Sequence, residues 1–141
     1  MRKSIFVSLM LAFAVALSAQ EKKTVEFTET THDFGTIREG TSENGKITHV
    51  FTFKNVGSTP IFIENAKASC GCTTPKVDKT KPILPNETGE IPVIYNKANQ
   101  VGSFHKNVTI TFKDGNDNSF NEIIHIKGKI TPKEQETQPA N

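Results

Sequence analysis

The sequence predicts an all-β fold, an antiparallel sandwich or barrel of roughly six to eight short strands. After residue 20 the apolar residues recur with a period of two rather than with the helical period of about 3.6. Turn-forming residues interrupt these runs at short intervals, and no segment shows the pattern of an amphipathic helix. The chain length after an N-terminal leader is typical of one domain that buries roughly two thirds of its unfolded surface.

Each strand candidate is predicted from its own alternation. In the segment 46–55, Ile47, Phe51 and Phe53 share one face of the predicted sheet with His49. The other apolar faces are formed by Ile91, Val93 and Tyr95, by Val108, Ile110 and Phe112, and by Ile124, Ile126 and Ile130. In chain order the strand candidates are 24–30, 46–55, 60–66, 90–95, 104–113 and 120–130.

Turn signals separate these candidates at 55–58, 84–86, 99–102 and 114–117. Gly115, between Asp114 and Asn116, predicts the tip of a hairpin that joins two neighbouring strands. Asp114 and Asp117 are therefore interpreted as turn residues rather than as a catalytic acid and base.

The amino terminus has the three-part pattern of a secretory signal peptide. Arg2 and Lys3 precede an apolar run at 5–17, and small residues stand at the cleavage position after Ala19. The run is shorter than the roughly 20 apolar residues that a membrane-spanning helix needs. We therefore expect a signal peptide at 1–19, a folded domain at 20–130 and a disordered polar tail at 131–141. The mature chain is expected to be periplasmic or extracellular, without a membrane span.

The charge balance argues against nucleic acid as a partner. The leader contains two of the 17 basic residues and none of the 15 acidic ones, so the mature chain carries 15 of each. Nucleic-acid-binding proteins usually present a basic patch or stripe, and the lysines here are dispersed. No phosphate-binding loop, nucleophile elbow or metalloprotease motif is present. The sequence therefore predicts a protein that is not an enzyme.

The only two cysteines, Cys70 and Cys72, flank Gly71. A disulfide across a single residue closes a minimal loop, so it contributes little to global stability. Three interpretations remain open: a local disulfide, a soft metal site and disulfide exchange with another protein. The exported location favours oxidation.

The metal interpretation needs additional ligands, because zinc normally takes four, whereas monovalent copper needs fewer and prefers sulfur. The histidines that are candidates to complete a site with Cys70 and Cys72 are His32, His49, His105 and His125. Their spacing matches no metal-binding motif. We expect no cofactor, with copper as the alternative.

Four short motifs occur in the order 32–37 with Gly40, 51–57, 69–73 and 82–85. Through them the segment from about 25 to 130 resembles the bacterial secreted family catalogued as domain of unknown function 1573, which is frequent in the Bacteroidetes. The resemblance implies a single immunoglobulin-like sandwich of about seven strands, related to pilus-chaperone and cilia-associated domains. The residues that carry the resemblance are interpreted as structural: His32, Asp33, Phe34, Gly35, Asn55, Gly57, Gly71 and Pro85.

The sequence thus predicts a secreted binding or structural module whose partner is an unidentified envelope protein. Sheet edges of a sandwich can pair with an extended segment of another chain, and this is the expected mode of interaction. The alternative function is a periplasmic thiol protein that binds copper or exchanges disulfides through Cys70 and Cys72.

Overall fold

A computed structural model describes residues 23–133 of the chain. The predicted signal peptide at 1–19 lies outside the described residues. The predicted tail at 131–141 lies outside them too, apart from its first three residues. Of these, Thr131 is still part of the last strand, where its carbonyl oxygen accepts a hydrogen bond from the amide of Glu39 (2.8 Å).

The described residues form eight strands and one short 3-10 turn, Glu43–Gly45. The strands are β1 Val25–Phe27, β2 Thr31–Arg38, β3 Lys46–Asn55, β4 Ile61–Ala68, β5 Thr73–Pro75, β6 Thr88–Asn96, β7 Gly102–Asp114 and β8 Ser119–Thr131. Six of them correspond to the segments predicted from alternation. The sequence pattern did not single out β2 and β5.

The strands form two four-stranded sheets that pack as a sandwich, which confirms the predicted all-β fold class. The first sheet has the order β1-β3-β6-β5, and the second has the order β2-β8-β7-β4. All strand pairs are antiparallel except that of β2 with β8, which is parallel. Because β1 and β2 follow each other in the chain but belong to different sheets, the chain changes sheet at residues 28–30.

Apolar side chains from the inner faces of both sheets fill the space between them. Of the predicted inward residues, Ile47 and His49 in the first half of β3 are half-buried. The others are buried: Phe51, Phe53, Ile91, Val93, Tyr95, Val108, Ile110, Phe112, Ile124, Ile126 and Ile130. The ring of Phe53 meets the ring of Phe112 edge-on across the two sheets, with centroids 5.1 Å apart. Burial of these residues is the main favourable term in folding.

The hairpin predicted at Gly115 joins β7 to β8. Asp114 accepts hydrogen bonds from the amides of Asn116 (2.8 Å) and Asn118 (2.9 Å), and Asp117 forms an ion pair with Lys113 (2.9 Å). These contacts place both aspartates in turn-forming roles.

Asn55, at the end of β3, is fully buried and forms a hydrogen-bond network with three chain segments. Its Oδ1 accepts from the amide of Gly57 (2.9 Å), and its Nδ2 donates to the carbonyl oxygens of Thr59 and Ile83 (2.9 Å each). A Cβ atom at position 57 would lie 2.9 Å from Thr24 Cγ2 and 3.1 Å from Oδ1 itself. Glycine at 57 therefore permits the close approach on which the network depends.

Asp33 stabilises an irregularity within strand β2. The pairing of β2 with β8 shifts register between Asp33 and Thr36, and Gly35 adopts a φ of +66° there. Asp33 Oδ1 accepts a hydrogen bond from the amide of Gly35 (2.8 Å), and Oδ2 lies 3.5 Å from Lys127 Nζ. The bond from Gly35, and secondarily the charge of Lys127, lowers the pKa of the Asp33 carboxyl below its usual 3.8.

We predict that Asn55→Ala lowers the free energy of unfolding by about 2 to 4 kcal/mol, because it removes three hydrogen bonds of a buried side chain and leaves a void in its place. Urea denaturation followed by circular dichroism measures the change. Asn121→Ala is the matched control, because Asn121 is exposed and bonds only to Thr111 within the described residues; its cost should stay below about 1 kcal/mol. Equal losses for both variants would contradict the role of Asn55.

We predict that Asp33→Ala lowers stability at neutral pH and that the difference from wild type disappears in acid. The carboxyl has a lower pKa in the folded state than in the unfolded state. Its contribution is therefore present above the usual value of 3.8 and is lost as the pH falls through the folded pKa. Urea denaturation at pH 7 and at about pH 2.5 tests this. A difference that persists unchanged at the lower pH would show that the carboxylate charge contributes nothing.

Candidate functional site

Two histidines from opposite sheets meet a glutamate at the place where the chain changes sheet. Glu29 lies in the crossing between β1 and β2, His32 lies in β2, and His49 lies on the inner face of β3. The two imidazole rings are stacked, with centroids 3.5 Å apart and planes inclined by 7°. Glu29 Oε1 lies 2.6 Å from His49 Nε2 and 3.6 Å from His32 Nδ1. We call Glu29, His32 and His49 the histidine cluster.

Aromatic rings support the histidine cluster from the core side. The ring of His49 meets that of Phe51 edge-on at 4.8 Å, and the ring of His32 meets that of Phe34 edge-on at 4.6 Å. Toward solvent the cluster is open, because the Glu29 side chain is 44% exposed, compared with 27% for His32 and 20% for His49. The cluster therefore lies at the rim of the sandwich, with an apolar floor.

The contact between His49 and Glu29 does not have hydrogen-bond geometry, although the two atoms are close. Nε2 of His49 is shielded from solvent and has no hydrogen-bond partner in the described part of the chain. A buried ring nitrogen without a partner is unfavourable. An atom or ion bound between these side chains would satisfy it.

The structure separates the predicted metal ligands into three places. His32 and His49 lie together, whereas His105 and His125 are neighbours in the second sheet, with ring centroids 5.4 Å apart and His125 Nδ1 2.9 Å from Asn107 Oδ1. Within residues 23–133, the single group of three potential ligands is the histidine cluster, and it includes neither cysteine. Sequence reasoning missed Glu29, whose one local signal is its position three residues before His32.

The cysteines form a disulfide in the crossing from β4 to β5. The sulfur atoms of Cys70 and Cys72 are 2.00 Å apart, and their Cα atoms are 5.3 Å apart. Both side chains are half-buried. Gly71 between them is exposed, and a Cβ atom at this position would point into open space. In this oxidised form neither sulfur is a thiolate, so copper binding at the pair requires reduction first.

Hydrogen bonds on both sides hold this crossing in place. The amide of Asn96 donates to the carbonyl oxygen of Cys72 (2.8 Å), and Ser69 exchanges hydrogen bonds with Asn107. The hydroxyl of Thr73, a buried residue, lies 3.5 Å from Cys70 Sγ and 3.9 Å from Cys72 Sγ. Thr73 was not among the predicted site residues, although its hydroxyl-bearing side chain directly follows Cys72 in the sequence.

A third feature is the edge of β3 that faces away from β6. β1 pairs only with the last three residues of β3, from Phe53 to Asn55. In residues 23–133 no strand covers the remainder of this edge. The carbonyl of Thr52 accepts from the amide of Thr28 (3.0 Å), so the open edge of β3 is defined here as Lys46 to Phe51. Its outer face carries Val50, which is 41% exposed and lies opposite Pro92.

Comparison with solved structures identifies the architecture. The chain is similar to the VesB protease of Vibrio cholerae (TM-score 0.59, 13% identity), and the similarity covers 75% of this chain and 32% of that one. It is similar to an ASH/PapD-like domain of human CEP192 (TM-score 0.55, 11% identity, 79% of this chain and 87% of that one). It is also similar to the YadV chaperone (TM-score 0.55, 10% identity, 83% of this chain and 56% of that one).

At these identities the similarity shows the fold, an immunoglobulin-like sandwich of the PapD-like kind. The chain spans about a third of the VesB chain and about half of the YadV chain. No curated protein sequence matches it. Within residues 23–133, no helix has the length and apolar character needed to span a bilayer.

The sequence comparison with protein families agrees with the resemblance carried by the four motifs. Residues 25–130 match the family described as "Protein of unknown function (DUF1573)". The matched range begins with β1 and ends one residue before the end of β8, so it includes the histidine cluster, the disulfide and the open edge. This protein belongs to the DUF1573 family.

Proposed function

We propose that this protein is an exported binding module, rather than an enzyme, that captures an extended segment of another envelope protein along the open edge of β3. The observation that carries the proposal is the row of backbone groups that this edge presents without a partner strand. Such a row is a template for an added strand, which is one of the recurring modes of peptide recognition.

The hydrogen bonds around β3 define which of its peptide groups face the open edge. The carbonyl oxygen of Thr52 accepts from the amide of Thr28 (3.0 Å), so the peptide groups of Thr52 point away from β6. In a strand, peptide groups of alternate residues point to the same edge. The amides and carbonyls of Lys46, Thr48 and Val50 therefore face the open edge, whereas those of Ile47, His49 and Phe51 pair with β6.

The other edges of the sandwich are less suited to accept a strand. β1 and β5 have three residues each. β2 contains the irregularity at Asp33, and β4 has one at Glu64 and is bridged by Ile83 through two hydrogen bonds to Ile61 (2.8 and 3.0 Å). Short strands, bulges and covering segments are the usual means of protecting an edge.

The surfaces beside the open edge favour a partner segment with apolar residues at alternate positions. On the outer face, Val50 and its neighbours Pro92 and Ile94 on β6 present an apolar surface. On the inner face, a bound side chain would approach the gap between the sheets beside Phe34. An added strand places successive side chains on opposite faces, so apolar residues at alternate positions fit both surfaces.

The compartment forms part of the proposal. It is supported by the signal-peptide pattern at 1–19, which leaves a folded domain at 20–130. It is also supported by the similarity of the fold to that of the periplasmic chaperone SfaE (TM-score 0.51, 11% identity). The absence of catalytic motifs in the sequence supports a binding role.

Hydrogen–deuterium exchange on the free protein tests the open edge directly. We predict that the amides of Thr48 and Val50 exchange rapidly, while those of His49 and Phe51 are protected by their hydrogen bonds to β6. Equal protection along Lys46 to Phe51 would mean that another segment already covers this edge.

A paired substitution tests the binding function. Val50→Pro removes one outward amide without touching the bonds to β6, and Val50→Thr keeps the amide and changes only the side chain. On an array of extended peptides from exported proteins, we expect wild type and Val50→Thr to bind the same peptides. Val50→Pro should bind them about tenfold more weakly. Equal binding by the two variants, or no peptide bound by wild type, would contradict strand addition.

A second candidate function, disulfide exchange at Cys70 and Cys72, is favoured by the position of the Thr73 hydroxyl. Attack of a partner thiolate on Cys72 Sγ forms a mixed disulfide and releases the Cys70 thiolate. Thr73 lies where it can donate a hydrogen bond to that thiolate. A second partner thiol then releases Cys72, which leaves the partner oxidised and the pair reduced.

We predict that reduced glutathione opens the disulfide, with a mass increase of two hydrogens, and that Thr73→Val slows the reaction about five- to tenfold. Thr73→Ser, which keeps a hydroxyl, should react like wild type. Mass spectrometry of acid-quenched samples follows the time course. If Thr73→Val and wild type react at the same rate, the hydroxyl has no part in exchange, and a bond that resists glutathione excludes this function.

A further inference from the structure

We infer that Glu29, His32 and His49 form a binding site for a divalent transition metal ion, with zinc as the probe. One ligand atom from each residue lies within 4.8 Å of the other two. The ligands come from the crossing at 28–30, from the second sheet and from the first sheet. The site is therefore assembled by the fold and differs from the cysteine-based metal site considered from the sequence.

The ligand atoms of these three residues determine which class of metal ion the site would bind. Two imidazole nitrogens and one carboxylate oxygen are a known three-ligand set for zinc, with the fourth position left to water or another ligand. Imidazole also suits copper and nickel, whereas calcium and magnesium prefer oxygen ligands alone. The negative charge of Glu29 beside two imidazoles provides a net attraction for a cation.

His49 is the best-positioned ligand. Its backbone is held by the pairing of β3 with β6, and its ring packs edge-on against Phe51. Nε2 is shielded from solvent, and in the described part of the chain it has no hydrogen-bond partner although Glu29 Oε1 lies 2.6 Å away. Coordination of a metal ion by both this nitrogen and the Glu29 carboxylate would give the buried atom a partner.

Metal binding requires a change in one ring and a shift of the Glu29 carboxylate. Two ligand atoms of a tetrahedral zinc ion lie about 3.3 Å apart, whereas Glu29 Oε1 and His49 Nε2 are 2.6 Å apart. Parallel rings 3.5 Å apart cannot both direct their in-plane lone pairs at one ion. His32 is the residue that moves, because its side chain is more exposed than that of His49 and the Glu29 carboxylate beside it is open to solvent. The opening toward solvent also leaves room for the fourth ligand.

The ion would link the two sheets beside the crossing that carries Glu29. The backbone of this crossing is bonded to both sheets, by the amide of Thr28 to the carbonyl of Thr52 (3.0 Å) and by the amide of His125 to the carbonyl of Thr30 (2.7 Å). Coordination by His32 and His49 would add a side-chain link between the sheets, and binding to the folded state alone would raise thermal stability.

Isothermal titration with zinc chloride tests the site on the tag-free mature chain after removal of metals with a chelator. We expect one ion per chain with a Kd at or below about 10 µM. Glu29→Gln, a substitution at a solvent-exposed position, should weaken binding at least about tenfold, as should His32→Ala and His49→Ala. At the same zinc concentration, the melting temperature of wild type should rise more than that of Glu29→Gln.

Two control variants separate this site from the alternatives. The double variants His105→Ala with His125→Ala, and Cys70→Ser with Cys72→Ser, should each bind zinc within about twofold of wild type. In NMR spectra zinc should shift the ring signals of His32 and His49 and leave those of His105 and His125 in place. Stoichiometric zinc binding that survives Glu29→Gln and His32→Ala, or that is lost with the cysteines, would overturn the inference, as would no binding by wild type at about 100 µM zinc.

Discussion

The carboxamide of Asn55 is buried where β3 ends, and it forms hydrogen bonds with three backbone groups. It bonds to Gly57 and Thr59, which lead to the second sheet, and to Ile83, which lies in the loop before β6. The Gly57 amide also donates to Thr24 and the Ile83 carbonyl also accepts from Ile61, so Asn55 joins segments that have bonds of their own. One side chain thus fixes where β3 stops, how the chain crosses between sheets and where the bridge to β4 forms.

The short β1 determines how much of β3 is paired on the edge away from β6. β1 pairs with β3 over three residues, and the chain then crosses at 28–30 to join β8 in the second sheet. Among residues 23–133, this crossing leaves the first half of β3 without a neighbouring strand on one edge, and it brings His32 beside His49. The open edge and the histidine cluster therefore have a common cause, which is the early departure of the chain from the first sheet.

The sequence predicts those features that depend on neighbouring residues. Alternation identified β3, and with it the inward position of His49, because side-chain direction in a strand has a period of two. β2 was not recognised as a strand, since Asp33 and Gly35 interrupt its pattern and its partner β8 is about ninety residues away. The meeting of His32 with His49, rather than with the cysteines, depends on that distant contact, so no local pattern encodes it.

Polar chemistry in this sandwich lies at the crossings between sheets, because apolar side chains fill the space between the inner faces. Glu29 occupies one crossing and the cysteine pair another, while buried Lys97 follows β6 and donates to the carbonyl of Arg38 (3.1 Å). The side chain of His49 points into the gap, whereas the amide of Val50 points along the sheet. A metal ion and a bound strand can therefore occupy β3 together. Both would bind the same folded state, so by thermodynamic linkage any effect of one on the affinity for the other is reciprocal.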